Sequence, residues 1–248
     1  MCFDHDSELP IPAGDREVTG EKLTLRAVDG NQLMAFAAYG EDESRVGVVV
    51  LPDVRGLFRF YEDLAVRFAE AGHDSVAIDY FGRTAGMGER SNDWDYATHV
   101  QQTTLDGISA DVAAAVDHLR ATNTRRPVFT VGFCFGGSNS WHQAANGHGL
   151  AGAVGFYGRP RRSATDAVID RVGEMECPVL ALMGGDDPGI PQNVVEEFRQ
   201  ALENAGVSHE VVIYPGAPHS FFDRKYADFA EESADAWGRV LAFIDANS

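Results

Sequence analysis

The feature that most constrains this chain is a series of short, uninterrupted apolar runs separated by stretches of helical periodicity. VGVVVL (46–51), SVAID (75–79), VFTVGF (128–133), AVGFY (153–157), PVLALM (178–183) and EVVIY (210–214) each have the length of a strand. VGVVVL is a continuous apolar run, the mark of a strand buried on both faces of a parallel sheet. Between the runs, Tyr61, Leu64, Ala65 and Phe68 recur at helical spacing and end near Gly72. Ile108, Val112, Ala115, Val116 and Leu119 do the same, as do Val194, Val195, Phe198 and Leu202 before Gly206. A last helical pattern, over 225–245, carries Phe229, Ala236, Val240 and Phe243. Near the start, KLTLRA (22–27) and QLMAFAA (32–38) flank Asp29-Gly30-Asn31 and predict a hairpin. Strand–helix alternation of this kind predicts an α/β fold: a mainly parallel central sheet, right-handed crossovers and helices on both faces. Residues 1–20, with Pro10 and Pro12, read as a polar arm, and 21–248 as a single domain without repeats or linkers.

Charge narrows the function classes. The chain of 248 residues has 20 Lys+Arg against 38 Asp+Glu, a net charge of −18. Nucleic-acid phosphates and anionic membrane surfaces both require clustered cations, so neither is expected as a partner. No apolar stretch is long enough to span a bilayer, and the acidic N-terminus lacks the pattern of a signal peptide. Three cysteines, Cys2, Cys134 and Cys177, do not make a disulfide framework; a reducing cytoplasm is expected. The eight His show no metal-ligand spacing, so neither a metal nor another cofactor is expected. The sequence leaves the oligomeric state open.

Ligands of open α/β sheets bind beyond the carboxyl ends of the strands. After VFTV comes Gly132-Phe133-Cys134-Phe135-Gly136-Gly137, a G-x-C-x-G nucleophile elbow with Cys in the serine position. Such a turn puts the sulfur at a helix N-terminus, where the partial positive charge favours the thiolate, and aims the Phe135 N–H at a developing oxyanion. PVLALM runs into Gly184-Gly185-Asp186-Asp187-Pro188, and EVVIY into Pro215-Gly216-Ala217-Pro218-His219. Nucleophile, acid and His occur in the order of an α/β-hydrolase. A buried Cys in a Gly-rich turn, a capping Asp and a solvated loop His are the plain readings of each feature alone. Three in this order at successive strand ends favour catalysis.

G-F-C-F-G-G, M-G-G-D-D-P-G-I-P and G-A-P-H-S-F together resemble the dienelactone hydrolase family, from about residue 20 to the end of the chain. The resemblance implies a single-domain α/β-hydrolase fold. It implies hydrolysis of a small lactone or ester, the best-known activity being conversion of dienelactone to maleylacetate. It makes Cys134 the nucleophile, His219 the base and Asp187, which precedes the hydrophobic-Pro segment, the acid. It places Asp53, one methylene shorter than the usual Glu, near the thiol, and gives Val54 a second oxyanion N–H. Arg83, after Asp79-Tyr80-Phe81-Gly82, and Arg224, one residue further along than in the best-known members, are implied to grip a substrate carboxylate. Tyr157 is a candidate for the substrate pocket, as are Phe58, Phe60 and Trp94, with packing as the competing role of Trp94 and Phe60; Cys177 reads as structural. A general carboxylesterase or thioesterase is the alternative enzyme. A non-hydrolytic thiol sensor or binding protein is the alternative class, disfavoured because it needs neither the acid nor the His.

Overall fold

A computed structural model describes residues 6–41, 46–91, 93–163 and 166–248. Cys2 and His5 lie outside the described residues. The chain divides into two compact units: Ala13–Thr130, and Val131–Ser248 with the segment through Pro12.

The first unit opens on the predicted hairpin. β1 (Val18–Arg26) pairs antiparallel with β2 (Gln32–Gly40), with Leu25 opposite Leu33 and Leu23 opposite Ala35. β1 starts inside the segment read as a polar arm, because its pairing with β2 continues to Val18 opposite Gly40. β2 also pairs antiparallel with β4 (Asp74–Ile78), and β4 pairs parallel with β3 (Gly47–Leu51). The order is β1-β2-β4-β3, with β5 (Val128–Phe133) next. Every residue of β3 and β4 is buried, and the two polar ones in β4 are satisfied, Asp74 by Arg126 at 2.9 Å and Ser75 by the Ala65 carbonyl at 2.7 Å. Burying a Val side chain stabilises by about 1.5–3 kcal/mol, so Val48, Val49, Val50 and Val76 anchor this layer. α1 (Arg59–Glu70) links β3 to β4 and buries Tyr61, Leu64, Ala65 and Phe68. α4 (Leu105–Leu119) buries Ile108, Val112, Ala115, Val116 and Leu119, and its Thr104 cap accepts from the Gly107 N–H. Two short helices without a clear apolar stripe, α2 (Gly82–Ala85) and α3 (Tyr96–Gln102), were not predicted; neither has a buried side chain to announce it.

β5 crosses the boundary, its last three residues belonging to the second unit, where the order is β5-β6-β7-β8. β6 (Gly152–Phe156), β7 (Val179–Gly184) and β8 (His209–Tyr214) pair in parallel. α5 (Phe135–Gln143) follows β5, and α6 (Gln192–Ala205) follows β7. α6 ends at Gly206, whose φ of 71° is a left-handed cap that a glycine adopts without strain. α7 (Ala230–Asn247) begins later than its pattern suggested, because 219–229 form turns. A 3-10 helix at Val168–Glu174 was not foreseen. Phe133, Phe156 and Phe222 stack in the core under the strand ends, with ring centroids 4.5–5.7 Å apart. No helix among the described residues is long and apolar enough to cross a membrane.

Candidate active site

The elbow follows from its glycines. A Cβ on Gly132 would lie 2.0 Å from the Gly136 carbonyl oxygen, and one on Gly137 would lie 2.6 Å from that of Phe156. Only residues without side chains let the strand turn this sharply into α5. Cys134 sits at the turn as the α5 N-cap with φ 54° and ψ −110°, a left-handed conformation costly for any residue but glycine. The turn is pinned by the Cys134 N–H, which donates to the Phe156 carbonyl at 3.0 Å, and by the Gly137 N–H, which donates to the Cys134 carbonyl at 3.1 Å. Strain held this way is a feature of functional positions. Cys134 is partly exposed, whereas Cys177 is buried and its thiol is pushed up to about 12 by burial and by the nearby Glu176.

The loops after β7 and β8 are tied to one another. The Gly185 N–H donates to the Tyr214 carbonyl at 2.8 Å and the Asp186 N–H to the Ala217 carbonyl at 2.9 Å. This brings the Asp187 carboxylate to the His219 ring, with Oδ2 2.5 Å from Nδ1. Oδ1 accepts from the Gly189 N–H at 2.8 Å. With a carboxylate accepting at both oxygens, Nδ1 carries the ring proton and Nε2 holds the lone pair. The Asp187 side chain is 2% exposed and that of His219 18% exposed. Asp186 points to solvent. Tyr157, with φ 37°, is buried, and its ring packs on that of His219 at 4.9 Å.

The residues expected to bind or modulate have varied fates. In the first unit, both oxygens of Asp53 are taken by Arg55: Oδ1 accepts from the Arg55 N–H at 2.8 Å, and Oδ2 lies 2.9 Å from Nη2. The pair is almost wholly buried, and the guanidinium lies 5.4 Å from the ring centroids of Phe58, Phe60 and Tyr61. Phe58 and Phe60 therefore wall an internal ion pair. Val54 is buried in the Asp53–Gly56 turn. Trp94 packs on Phe81 and stacks on His99, both at 5.1 Å.

Arg83, expected to grip a substrate carboxylate, is instead held by the protein's own. Its Nε and Nη2 donate to Asp111 at 2.9 and 2.8 Å, and Nη1 and Nη2 to Asp29 at 2.5 and 3.1 Å. Asp111 is fully buried; burial holds its carboxyl above the ordinary value against the pull of Arg83 and Asn31. A guanidinium that neutralises a buried carboxylate is part of the fold, and that is where the structure places Arg83. Arg224, in the second unit, is half-buried; its Nε is buried without a hydrogen bond, and no described carboxylate lies within ion-pair reach. Arg159 and Arg162 escaped the sequence reading, although the run Arg159-Pro160-Arg161-Arg162 directly after β6 was a visible signal. Arg162 covers the Phe135 ring at 4.2 Å and pairs with Asp166 at 2.9 Å. Among the described residues no group of three or more His, Cys, Asp or Glu is arranged to hold a metal ion.

The model of the dienelactone hydrolase family matches residues 33–248. The chain belongs to the dienelactone hydrolase family. A candidate carboxymethylenebutenolidase of Salmonella typhimurium is 30% identical over 234 residues, covering 90% of this chain and 86% of that protein. A candidate 2-oxo-3-(5-oxofuran-2-ylidene)propanoate lactonase of Bradyrhizobium is 30% identical, covering 87% and 90%. Among solved structures, a candidate dienelactone hydrolase from Klebsiella pneumoniae superposes with a TM-score of 0.82 at 27% identity, over 92% of this chain and 99% of that one. The α/β-hydrolase fold and a hydrolase of the dienelactone hydrolase type follow from this membership.

Proposed function

We propose that this member of the family hydrolyses a small lactone or ester through a covalent thioester on Cys134. His219 takes the thiol proton at Nε2, while Asp187 holds the tautomer and stabilises the imidazolium. The Cys134 sulfur attacks the acyl carbon, and the Phe135 N–H receives the developing oxyanion. Collapse expels the leaving oxygen, which takes the proton from the His219 imidazolium, and leaves the thioester. His219 then draws a proton from water, the resulting hydroxide attacks, and the thiol is restored. Thiolate is itself a good leaving group, so this nucleophile suits enol-lactones and aryl esters, whose own leaving groups are weakly basic. The observation that carries the reading is the 2.5 Å Asp187–His219 pair presented from the strands that follow the elbow.

Arg224, a cation with no described carboxylate partner, is proposed to receive a carboxylate on the substrate. Relatives named for lactones with an acid group support that substrate class. The internal pairing of Arg83 favours the alternative, a general esterase acting on neutral substrates. The test is hydrolysis of dienelactone and of p-nitrophenyl acetate by the wild type and by Cys134→Ala. The thioester reading expects both activities to vanish in a folded variant; retained turnover would contradict it. A wild type that prefers dienelactone supports the carboxylate-bearing substrate, and one active on the aryl ester alone supports the general esterase.

A further inference from the structure

Residues 157–162 read Tyr-Gly-Arg-Pro-Arg-Arg, three arginines in four positions of a chain with net charge −18. In so acidic a protein each of them has carboxylates to choose from, and two are satisfied. Arg161 pairs with Asp170 at 3.0 Å and with Glu197 at 3.5 Å, and Arg162 pairs with Asp166. Arg159 is exposed, and among the described residues no carboxylate lies within ion-pair reach of it.

Its backbone is nevertheless fixed. The Arg159 N–H donates to Ser138 Oγ at 2.8 Å, and the Ser138 hydroxyl donates to the Arg159 carbonyl at 3.0 Å. Ser138 is buried in the first turn of α5, and its own N–H donates to the Cys134 carbonyl at 3.3 Å. Two residues earlier, the Tyr157 ring lies on His219. On the far side, the guanidinium comes up to the acid loop. The point where Gly189 would carry a Cβ is 2.8 Å from Arg159 Nη2 and 3.2 Å from Asp187 Oδ1. A side chain at 189 would collide with the guanidinium; glycine leaves it uncovered. Arg159 is thus tied to the helix after Cys134 and comes up to the loop of Asp187, two residues beyond the ring that packs on His219, and it is exposed to solvent.

We propose that Arg159, rather than Arg83, supplies a cation that selects substrates bearing a carboxylate near the scissile ester. The proposal rests on the hydrolase reading above and specifies its substrate. A guanidinium offers a carboxylate two parallel N–H donors, which a neutral ester substituent does not match. Arg83 has both of its donor edges spent on Asp29 and Asp111, so the charge expected there is available instead from the loop after β6.

The experiment is kcat/KM for mono-p-nitrophenyl glutarate and for p-nitrophenyl butyrate, which share a leaving group and differ in charge. It is measured with wild type, Arg159→Ala and Arg159→Lys. The glutarate-to-butyrate ratio is expected to fall about ten- to a hundredfold in Arg159→Ala, the worth of a charge-assisted contact, and to recover in part in Arg159→Lys. An unchanged ratio would overturn the proposal. So would equal losses on both esters with a shifted kcat–pH profile, which would make Arg159 a positioning residue acting through Asp187. A wild type that hydrolyses neither ester would overturn the hydrolase reading and this proposal with it.

Discussion

Asp186 and Asp187 are adjacent in the chain, yet only one can serve His219. The turn sends Asp186 to solvent and buries Asp187 with its carboxylate held by the Gly189 N–H and the His219 ring. Asp187→Asn would present an amide to Nδ1 and favour the wrong tautomer. The expected loss in kcat is about 10⁴-fold, the scale found when this change is made in a comparable triad. Asp186→Asn, assayed alongside, is expected to lose less than a tenth as much; a reversed order would reassign the acid. The cysteines separate in the same way. Cys177 has its thiol raised to about 12, so it stays protonated as pH rises through the neutral and mildly alkaline range. The thiolate is the nucleophile, and a buried thiol with so little of it is inert. Treating the native protein with iodoacetamide at pH 8, followed by peptide mapping, is expected to label Cys134 and spare Cys177. Sequence made the elbow and the pairing of Asp187 with His219 legible because each sits beside glycine or proline at a strand end. It did not show that Tyr157 packs against His219, since a lone aromatic after a strand carries no sign of which way its ring turns.

At the scale of elements, the strands were the most legible. VFTVGF coincides with β5 residue for residue, and the other apolar runs lie within a residue of their strands at either end. α2 and α3 bury no side chain and so leave no periodic trace. Arg83 illustrates the opposite difficulty, in which a motif position is used by the fold. It joins the β1–β2 turn, through Asp29, to α4, through Asp111. Asn31 adds a 3.1 Å bond to Asp111 from the same turn. Arg83→Ala would leave the fully buried Asp111 without its counter-charge, a change that typically costs about 3–5 kcal/mol. Urea unfolding is expected to show a loss of that size. A variant as stable as wild type, with selectivity lost for anionic esters, would return Arg83 to the substrate-binding role. No sequence signal marked Asp111 as its partner: an Asp on α4, 28 residues away, reads as a solvated helix residue until the fold buries it.

At the scale of the whole molecule, the expected single domain is represented by two compact units that divide within β5. Cys134, Asp187 and His219 all come from the second, Val131–Ser248. They stand beyond the ends of β5, β7 and β8, so strand order, not the surrounding charge, sets their places. The net charge of −18 makes each uncommitted cation informative, and in the second unit Arg159 comes up to the loop of Asp187 and Arg224 follows His219 in the chain. Family membership fixes the fold and the type of hydrolase; the covalent route through Cys134 is the central claim. Its most direct test is to quench the enzyme with acid during turnover of p-nitrophenyl acetate and locate the acyl group by peptide mass spectrometry. The thioester account predicts an acetyl group on the peptide carrying Cys134, chased away when substrate is exhausted. Turnover with the acetyl group on a different residue, or with Cys134 unmodified in an enzyme that shows a burst of p-nitrophenol, would contradict it.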